Sequence, residues 1–264
     1  MKRIYLLVFS MLLLFVLASC KAKDDNTLVV GVVAPPMSTV IEINKEEFEK
    51  LGYKLEIRTF TDYDIVNRAL NDGEIDLNFS QHKLFMDAFN TNFDGNLVKL
   101  QGIYTTPIFL YSRTITKLED INENTIIGVP REPINLARSL RLLKQLELIS
   151  YTKTDEENVT LEDITKLKEF KIEQFELTGL PLAYPDIDMA VMYPSFGQRI
   201  NLTVEKDTIA AEEDILPIYD ISIVGREDNK DLKIVQDFIG VVASDRTKDY
   251  LFETFGETYR VVYK

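Results

Sequence analysis

From residue 27 onward, short β-branched apolar runs alternate with segments whose apolar residues recur at helical spacing. That alternation limits the fold more than any other feature of the chain. Residues 27–33 (TLVVGVV) form a continuous apolar run of the kind a strand buried on both faces carries. Residues 40–51 read as a helix that Gly52 stops. Residues 55–60 read as a second strand. Ile65, Val66, Ala69 and Leu70 fall on one face of a short helix ended by Gly73, and residues 75–79 return to strand. Further strands are expected at 107–112 and 125–129. After Pro130 and Pro133, Leu136, Leu140, Leu143 and Leu146 mark an amphipathic helix. Strands near 171–177, 189–193 and 218–224 follow, with a later helix over 232–243. Strand and helix alternating in this way predict an α/β fold with largely parallel sheets. No internal repeat or low-complexity tract interrupts the pattern, and the polar stretch 152–158 reads as a surface loop.

The segment before this pattern is of another kind. Lys2 and Arg3 precede an apolar run over residues 4–17 that is broken only by Ser10. Such a run is too short to span a bilayer and fits a secretory signal. It closes on Leu17-Ala18-Ser19-Cys20, which resembles the bacterial lipobox, and Cys20 is the only cysteine in the chain. An ordinary secretory signal ending near a cysteine is the plainer alternative. The lipobox reading makes residues 1–19 a signal peptide and residues 20–27 a lipidated tether too polar to need a fold of its own. The protein is then exported and lipid-anchored to a bacterial membrane, on its periplasmic or outer cell-surface side. The remaining body contains no apolar run of about 20 residues, the length a membrane helix requires.

The chain carries 30 basic and 43 acidic residues, for a net charge of −13. That balance argues against nucleic acid, which is bound through basic patches. There is no G-x-S-x-G, P-loop or G-x-G-x-x-G, and no spaced set of Cys or His. With His82 the sole histidine, a Ser-His-Asp triad or a multi-histidine zinc site has little to draw on. A carboxylate pair could support glycoside hydrolysis, but nothing in the pattern singles out two of the acidic residues. The expectation is a binding protein without metal or cofactor, and not an enzyme.

A set of residues in a fixed order gives that expectation content. Phe60-Thr61-Asp62-Tyr63, Ala69-Leu70, Gly73-Glu74, Asp76, Asn78 and Gln81-His82 are followed by Asp87 and Phe89-Asn90. Pro107, Tyr111-Ser112, Pro130, Pro133, Asn135, Arg138 and Leu140 come next, then Asp188, Ala190-Val191 and Val224. The set resembles the methionine-binding lipoprotein family, the NlpA/MetQ-type solute receptors of ABC importers, over nearly all of the mature chain. The resemblance implies a periplasmic-binding-protein-like fold of two α/β lobes around a ligand cleft. One lobe would comprise residues 28–110 plus 221–264, and the other residues 111–220. It also implies a small-molecule partner, an amino acid or short peptide, together with an ABC permease and its ATPase. Arg138 would grip the ligand's α-carboxylate through two parallel bonds. Asn135, at the start of the Leu-striped helix, and His82, after a strand, would contact the ligand. Tyr63 would form an aromatic wall.

The sequence departs from the family pattern at four places. Ser80 stands where Phe precedes the Gln-His pair, and Phe85 stands where the family has Tyr. Tyr193-Pro194-Ser195 replaces an Asn-Gly-Asn run, and Asp220 replaces a later Asn. The expectation is a retained carboxylate clamp in a rebuilt pocket, with a ligand other than L-methionine within reach. The alternative reading is a surface lipoprotein that keeps the fold for an adhesin or other interaction role.

Overall fold

In the computed structural model, residues 26–154, 158–213 and 215–264 are described. Cys20, the signal peptide assigned to residues 1–19 and the tether as far as residue 25 lie outside the described residues, while Thr27, expected to end the tether, already opens the first strand. The chain opens with β1 (Thr27–Val32), α1 (Met37–Glu49), β2 (Lys54–Thr59), α2 (Tyr63–Asn71), β3 (Leu77–Gln81), α3 (Lys83–Phe93) and β4 (Leu97–Thr105). Strand β1 lies parallel to both β2 and β3. Gly52 and Gly73 end the two βα units with φ of 91° and 76°, backbone values that glycine adopts without a Cβ clash.

The chain then crosses to a second sheet through Thr106–Ile108. This part contains β5 (Phe109–Ser112), β6 (Ile126–Pro130), α4 (Pro133–Gln145), the short hairpin β7 (Ile149–Ser150) and β8 (Thr165–Lys166), and β9 (Lys171–Phe175). It continues with α5 (Leu180–Ala183), β10 (Met189–Met192), α6 (Pro194–Gln198), α7 (Val204–Asp207) and β11 (Thr208–Ala211). The chain returns through a 3-10 turn at Pro217–Tyr219 into β12 (Ile221–Arg226), α8 (Lys233–Val242), α9 (Asp245–Phe255) and β13 (Arg260–Val261).

The first sheet has the order β13-β4-β12-β3-β1-β2 and the second β11-β5-β10-β6-β9. Both are mixed, where the sequence pattern predicts largely parallel sheets. Parallel pairing holds within the βαβ units, among β2, β1 and β3 and among β9, β6 and β10. The strands that carry the chain between lobes, or return to a sheet from it, pair antiparallel: β12 with β3 and β4, and β5 with β10 and β11.

Each sheet is covered on both faces, which explains its near-continuous apolar strands. On the first sheet, Val40, Ile41 and Phe48 of α1 and Phe238 of α8 pack against Leu28, Val30 and Phe79. Val66 and Leu70 of α2 and Phe89 of α3 cover the opposite face at Val29 and Val224. On the second sheet, Leu136, Leu140 and Leu143 of α4 pack on Ile127, Val129 and Val191. Leu180, Tyr184 and Phe196 close the other side against Tyr111 and Ala190. The predicted leucine stripe is therefore the buried face of α4. The protein consists of two α/β lobes with the cleft between them. No helix among the described residues is long and apolar enough to cross a membrane.

Candidate ligand cleft

The C-terminal ends of β1, β3, β6 and β10 converge between the lobes, where open α/β sheets hold their ligands. β1 delivers Ala34, Pro35 and Met37 to the cleft, and β3 delivers Ser80, Gln81 and His82. β6 leads to Asn135, and β10 leads to Tyr193, Ser195 and Phe196. Tyr63, Phe85, Leu177 and Tyr259 add apolar surface, and Thr106 lines the crossing. The space between them is about 510 Å³, part of it open to solvent.

Local rules fix several of these side chains. Asp62 caps α2 by accepting the N–H groups of Asp64 and Ile65 at 2.8 and 2.9 Å, which sets Tyr63 at the first helical position. The Tyr63 ring meets Phe85 edge-on, with centroids 6.0 Å apart. A buried amide network holds the end of β3. Asn67 donates to Gln81 at 2.9 Å, Asn78 donates to Asn67 at 2.7 Å, and the Ser80 hydroxyl donates to Asn78 at 2.5 Å. The hydroxyl that replaces the family's aromatic ring is thus turned into the lobe.

His82 caps α3, its Nδ1 accepting the Phe85 N–H at 3.4 Å, and it is hydrogen-bonded to Asn135 across the cleft. Its ring stands edge-on to Tyr219 at 5.2 Å. Burial, reinforced by the nearby Arg138 charge, lowers its pKa to about 3, so the imidazole is neutral at physiological pH.

Six of the eight sequence-predicted binding residues line the cleft: Tyr63, Ser80, His82, Phe85, Asn135 and Tyr193. Arg138 and Asp220 do not. Arg138 is 1% exposed and lies behind Tyr193. Its Nε donates to both oxygens of Glu212 at 3.1 Å, and Nη2 donates to Glu212 at 2.5 Å and to the Thr106 carbonyl at 2.8 Å. Nη1 donates to the Tyr193 hydroxyl at 3.1 Å, which in turn donates to Asn135 Oδ1 at 3.2 Å. The Tyr219 ring covers one face of the guanidinium, 4.3 Å from its carbon. The bidentate carboxylate expected from a ligand is supplied here by the protein's own Glu212. Burial works against the Arg138 charge, but Tyr193 and Glu212 outweigh it and raise the pKa.

Asp220 is turned toward Lys99, 3.8 Å away, on the first sheet. Burial raises its pKa, opposed by Lys99. It immediately precedes β12 and does not line the cleft, although its neighbour Ile221 does.

The sequence reading missed Glu212 and Tyr219, which hold Arg138, and Thr106, Leu177, Phe196 and Tyr259, which line the cleft. Glu212 precedes Glu213 in an acidic chain and carries no local signal, yet it is 5% exposed. Arg141, one helical turn beyond Arg138, pairs with the same carboxylate.

Comparison with known proteins places this arrangement. Residues 28–261 match the family described as NlpA lipoprotein. The D-methionine-binding lipoprotein MetQ of Salmonella typhi is 35% identical over 245 residues, covering 90% of either chain. The crystal structure of lipoprotein Tp32 from Treponema pallidum superposes with a TM-score of 0.85 at 30% identity, covering 90% of this chain and all of that one. A nutrient binding protein from Burkholderia cenocepacia, solved bound to methionine, superposes with a TM-score of 0.84 at 29% identity over 89% of this chain and all of that one.

Proposed function

We propose that this chain, which belongs to the NlpA lipoprotein family, is the solute receptor of an ABC importer and captures methionine, a related amino acid or a short peptide in its interlobe cleft. The family is one of substrate-binding lipoproteins and not of enzymes, in keeping with the absence of any catalytic motif in the sequence. The observation that carries the reading is the cleft itself. Aromatic and apolar side chains from both lobes (Tyr63, Phe85, Leu177, Phe196 and Tyr259) surround a few polar groups at strand ends, Gln81, His82 and Asn135. An aliphatic or thioether tail packs well against such rings. His82 and Asn135 come from opposite lobes and meet across the space, so a solute touching both favours the closed form.

In this reading the two crossings, at Thr106–Ile108 and between Ala211 and Ile221, act as the hinge. Lipid on Cys20 keeps the receptor beside its permease and ATPase. Arg138 acts through Tyr193 and Asn135, fixing their orientation from behind the wall.

The test is calorimetry and thermal denaturation on protein freed of co-purified solute by unfolding and refolding, against a panel of amino acids and short peptides. A ligand at about 100 times its Kd stabilises the native state by about 2.7 kcal/mol. For a chain of this size that amounts to roughly 5–11 °C in Tm. If no member of the panel binds, and mass spectrometry of the native preparation finds no amino-acid-sized solute, the reading fails.

A further inference from the structure

After its second crossing, between Ala211 and Ile221, the chain stays with the first sheet to its end, where β13 pairs with β4. The end of α9 and the turn after it nevertheless reach the second lobe, with no covalent link there. Tyr259, which follows that turn, accepts the Ser195 N–H of α6 at 3.3 Å. The Thr106 hydroxyl, in the other crossing, is hydrogen-bonded to the Tyr259 side chain as well. One turn along α6, the Gln198 amide donates to the Thr254 carbonyl at 3.4 Å. Beside these bonds the lobes stand apart around a space of about 580 Å³, partly open to solvent. Gln198 and Thr203 line it on one side, and Thr254 and Phe255 on the other. A few hydrogen bonds beside a gap form a junction that can break and remake as the lobes move.

Tyr259 also belongs to the ligand cleft, where its ring forms part of the wall. The residue is 4% exposed and is built into the core of the first lobe. Its ring stacks on Phe255 with centroids 4.1 Å apart and tilts against Tyr104 at 5.2 Å. One side chain therefore faces the solute space with its ring and holds the opposite lobe with its hydroxyl. Ser195, the residue it holds, is one of the positions that depart from the family pattern, and it lines the cleft with its neighbour Phe196.

We propose that Tyr259 couples filling of the cleft to closure of the lobes. Its ring is a surface the solute packs against, and its hydroxyl ties that surface to Ser195 of the second lobe and to Thr106 in the crossing. The proposal rests on the receptor reading and assigns the coupling within it to one residue. Phe255 and Tyr104 grip the ring, so it does not follow α6 when the lobes part, and the bond to Ser195 belongs to the closed form. Solute binding, which favours that form, draws on this bond whatever the solute's own contacts are. Tyr259 is thus a positioning residue for α6. A neutral hydrogen bond of this kind is worth about a two- to tenfold change in affinity.

The test compares wild type with Tyr259→Phe, both freed of co-purified solute, using L-methionine, D-methionine and L-methionyl-L-methionine as probes. The substitution keeps the ring and its stacking and removes only the hydroxyl. Calorimetry gives each Kd, and urea unfolding of the solute-free proteins gives their stability. Tyr259→Phe is expected to raise Kd about two- to tenfold, by a similar factor for every probe that binds, because the lost bond joins the lobes and does not read the solute. A hydroxyl with a purely structural role would lower the urea midpoint of the solute-free protein and leave Kd unchanged, and that result would overturn the proposal. So would a rise in Kd confined to one of several binding probes, which marks direct contact with that solute. Either result leaves the receptor reading intact. If none of the three probes binds wild type, the proposal falls. If the native preparation and the wider panel also yield no amino-acid-sized solute, the receptor reading falls with it.

Discussion

Replacing Glu212 with Gln is the sharpest probe of how the site is built. Glu212 is 5% exposed and accepts from Arg138 Nε and Nη2 while also pairing with Arg141. The substitution keeps shape and one acceptor oxygen but removes the charge, which leaves the guanidinium of Arg138, 1% exposed, without a counter-ion. Taking one partner from a buried pair costs about 3–5 kcal/mol, because the surviving charge remains desolvated. The retained amide oxygen and the Thr106 carbonyl put this case at the low end, about 3 kcal/mol. Against a total stability of about 5–15 kcal/mol this is a large fraction. It corresponds to a fall in Tm of about 6–12 °C for a chain of this length. Urea unfolding followed by circular dichroism measures it, with thermal melts as a second probe. The control is the double variant Arg138→Met/Glu212→Leu, which removes both charges and is expected to recover most of the loss, since apolar replacement of a whole buried pair is often neutral. A loss below about 1 kcal/mol for Glu212→Gln, the range of exposed pairs, would refute the claim that this carboxylate holds Arg138. So would a double variant that is worse than the single one.

Two further perturbations test other parts of the structure. His82 has a folded-state pKa of about 3 against an ordinary value of 6.5, so only the unfolded chain takes up its proton between those values. Its contribution to stability is therefore intact above pH 6.5 and is lost as pH falls toward 3, with a slope of at most about 1.4 kcal/mol per pH unit. His82→Gln, neutral throughout, should flatten the stability profile between pH 7 and 4.5 relative to wild type in urea titrations; identical profiles would argue against a buried neutral imidazole. Gly197 in α6 packs on the Tyr111 side chain, where an added Cβ would meet two ring carbons and the hydroxyl oxygen at 2.8 Å. Because that ring is fully buried and cannot swing aside, Gly197→Ala should cost about 1–3 kcal/mol by overpacking, read as a lower urea midpoint at unchanged slope.

How much of this was legible in the sequence depends on how local each determinant is. β1 could be read because helices cover both its faces, so every position from Leu28 to Val32 is buried and the run is apolar without a break. α4 could be read because its leucines repeat at helical spacing and Pro133 sits at its first turn. β4, from Leu97 to Thr105, escaped because Lys99 and Gln101 interrupt its apolar character. α9 escaped because only Thr247 and Leu251 of its eleven residues are buried, leaving a largely polar helix. Within the cleft, Tyr63, His82 and Asn135 were named through the resemblance to the family, and all three sit where a helix starts: Tyr63 after Asp62, His82 after β3, Asn135 after Pro133. Arg138 was singled out as a ligand contact, but it stands behind the wall on a partner that the sequence does not reveal, because Glu212 lies 74 residues away on the chain's return path and looks locally like one more acidic surface residue. The family pattern names which side chains surround a ligand. It does not say which of them are already engaged by the protein itself. That is decided by long-range pairs, here Glu212 behind Arg138 and Tyr193 in front of it. In this chain Tyr193 lines the cleft while its hydroxyl accepts from Arg138 Nη1, so the arginine is engaged from the front as well as from behind.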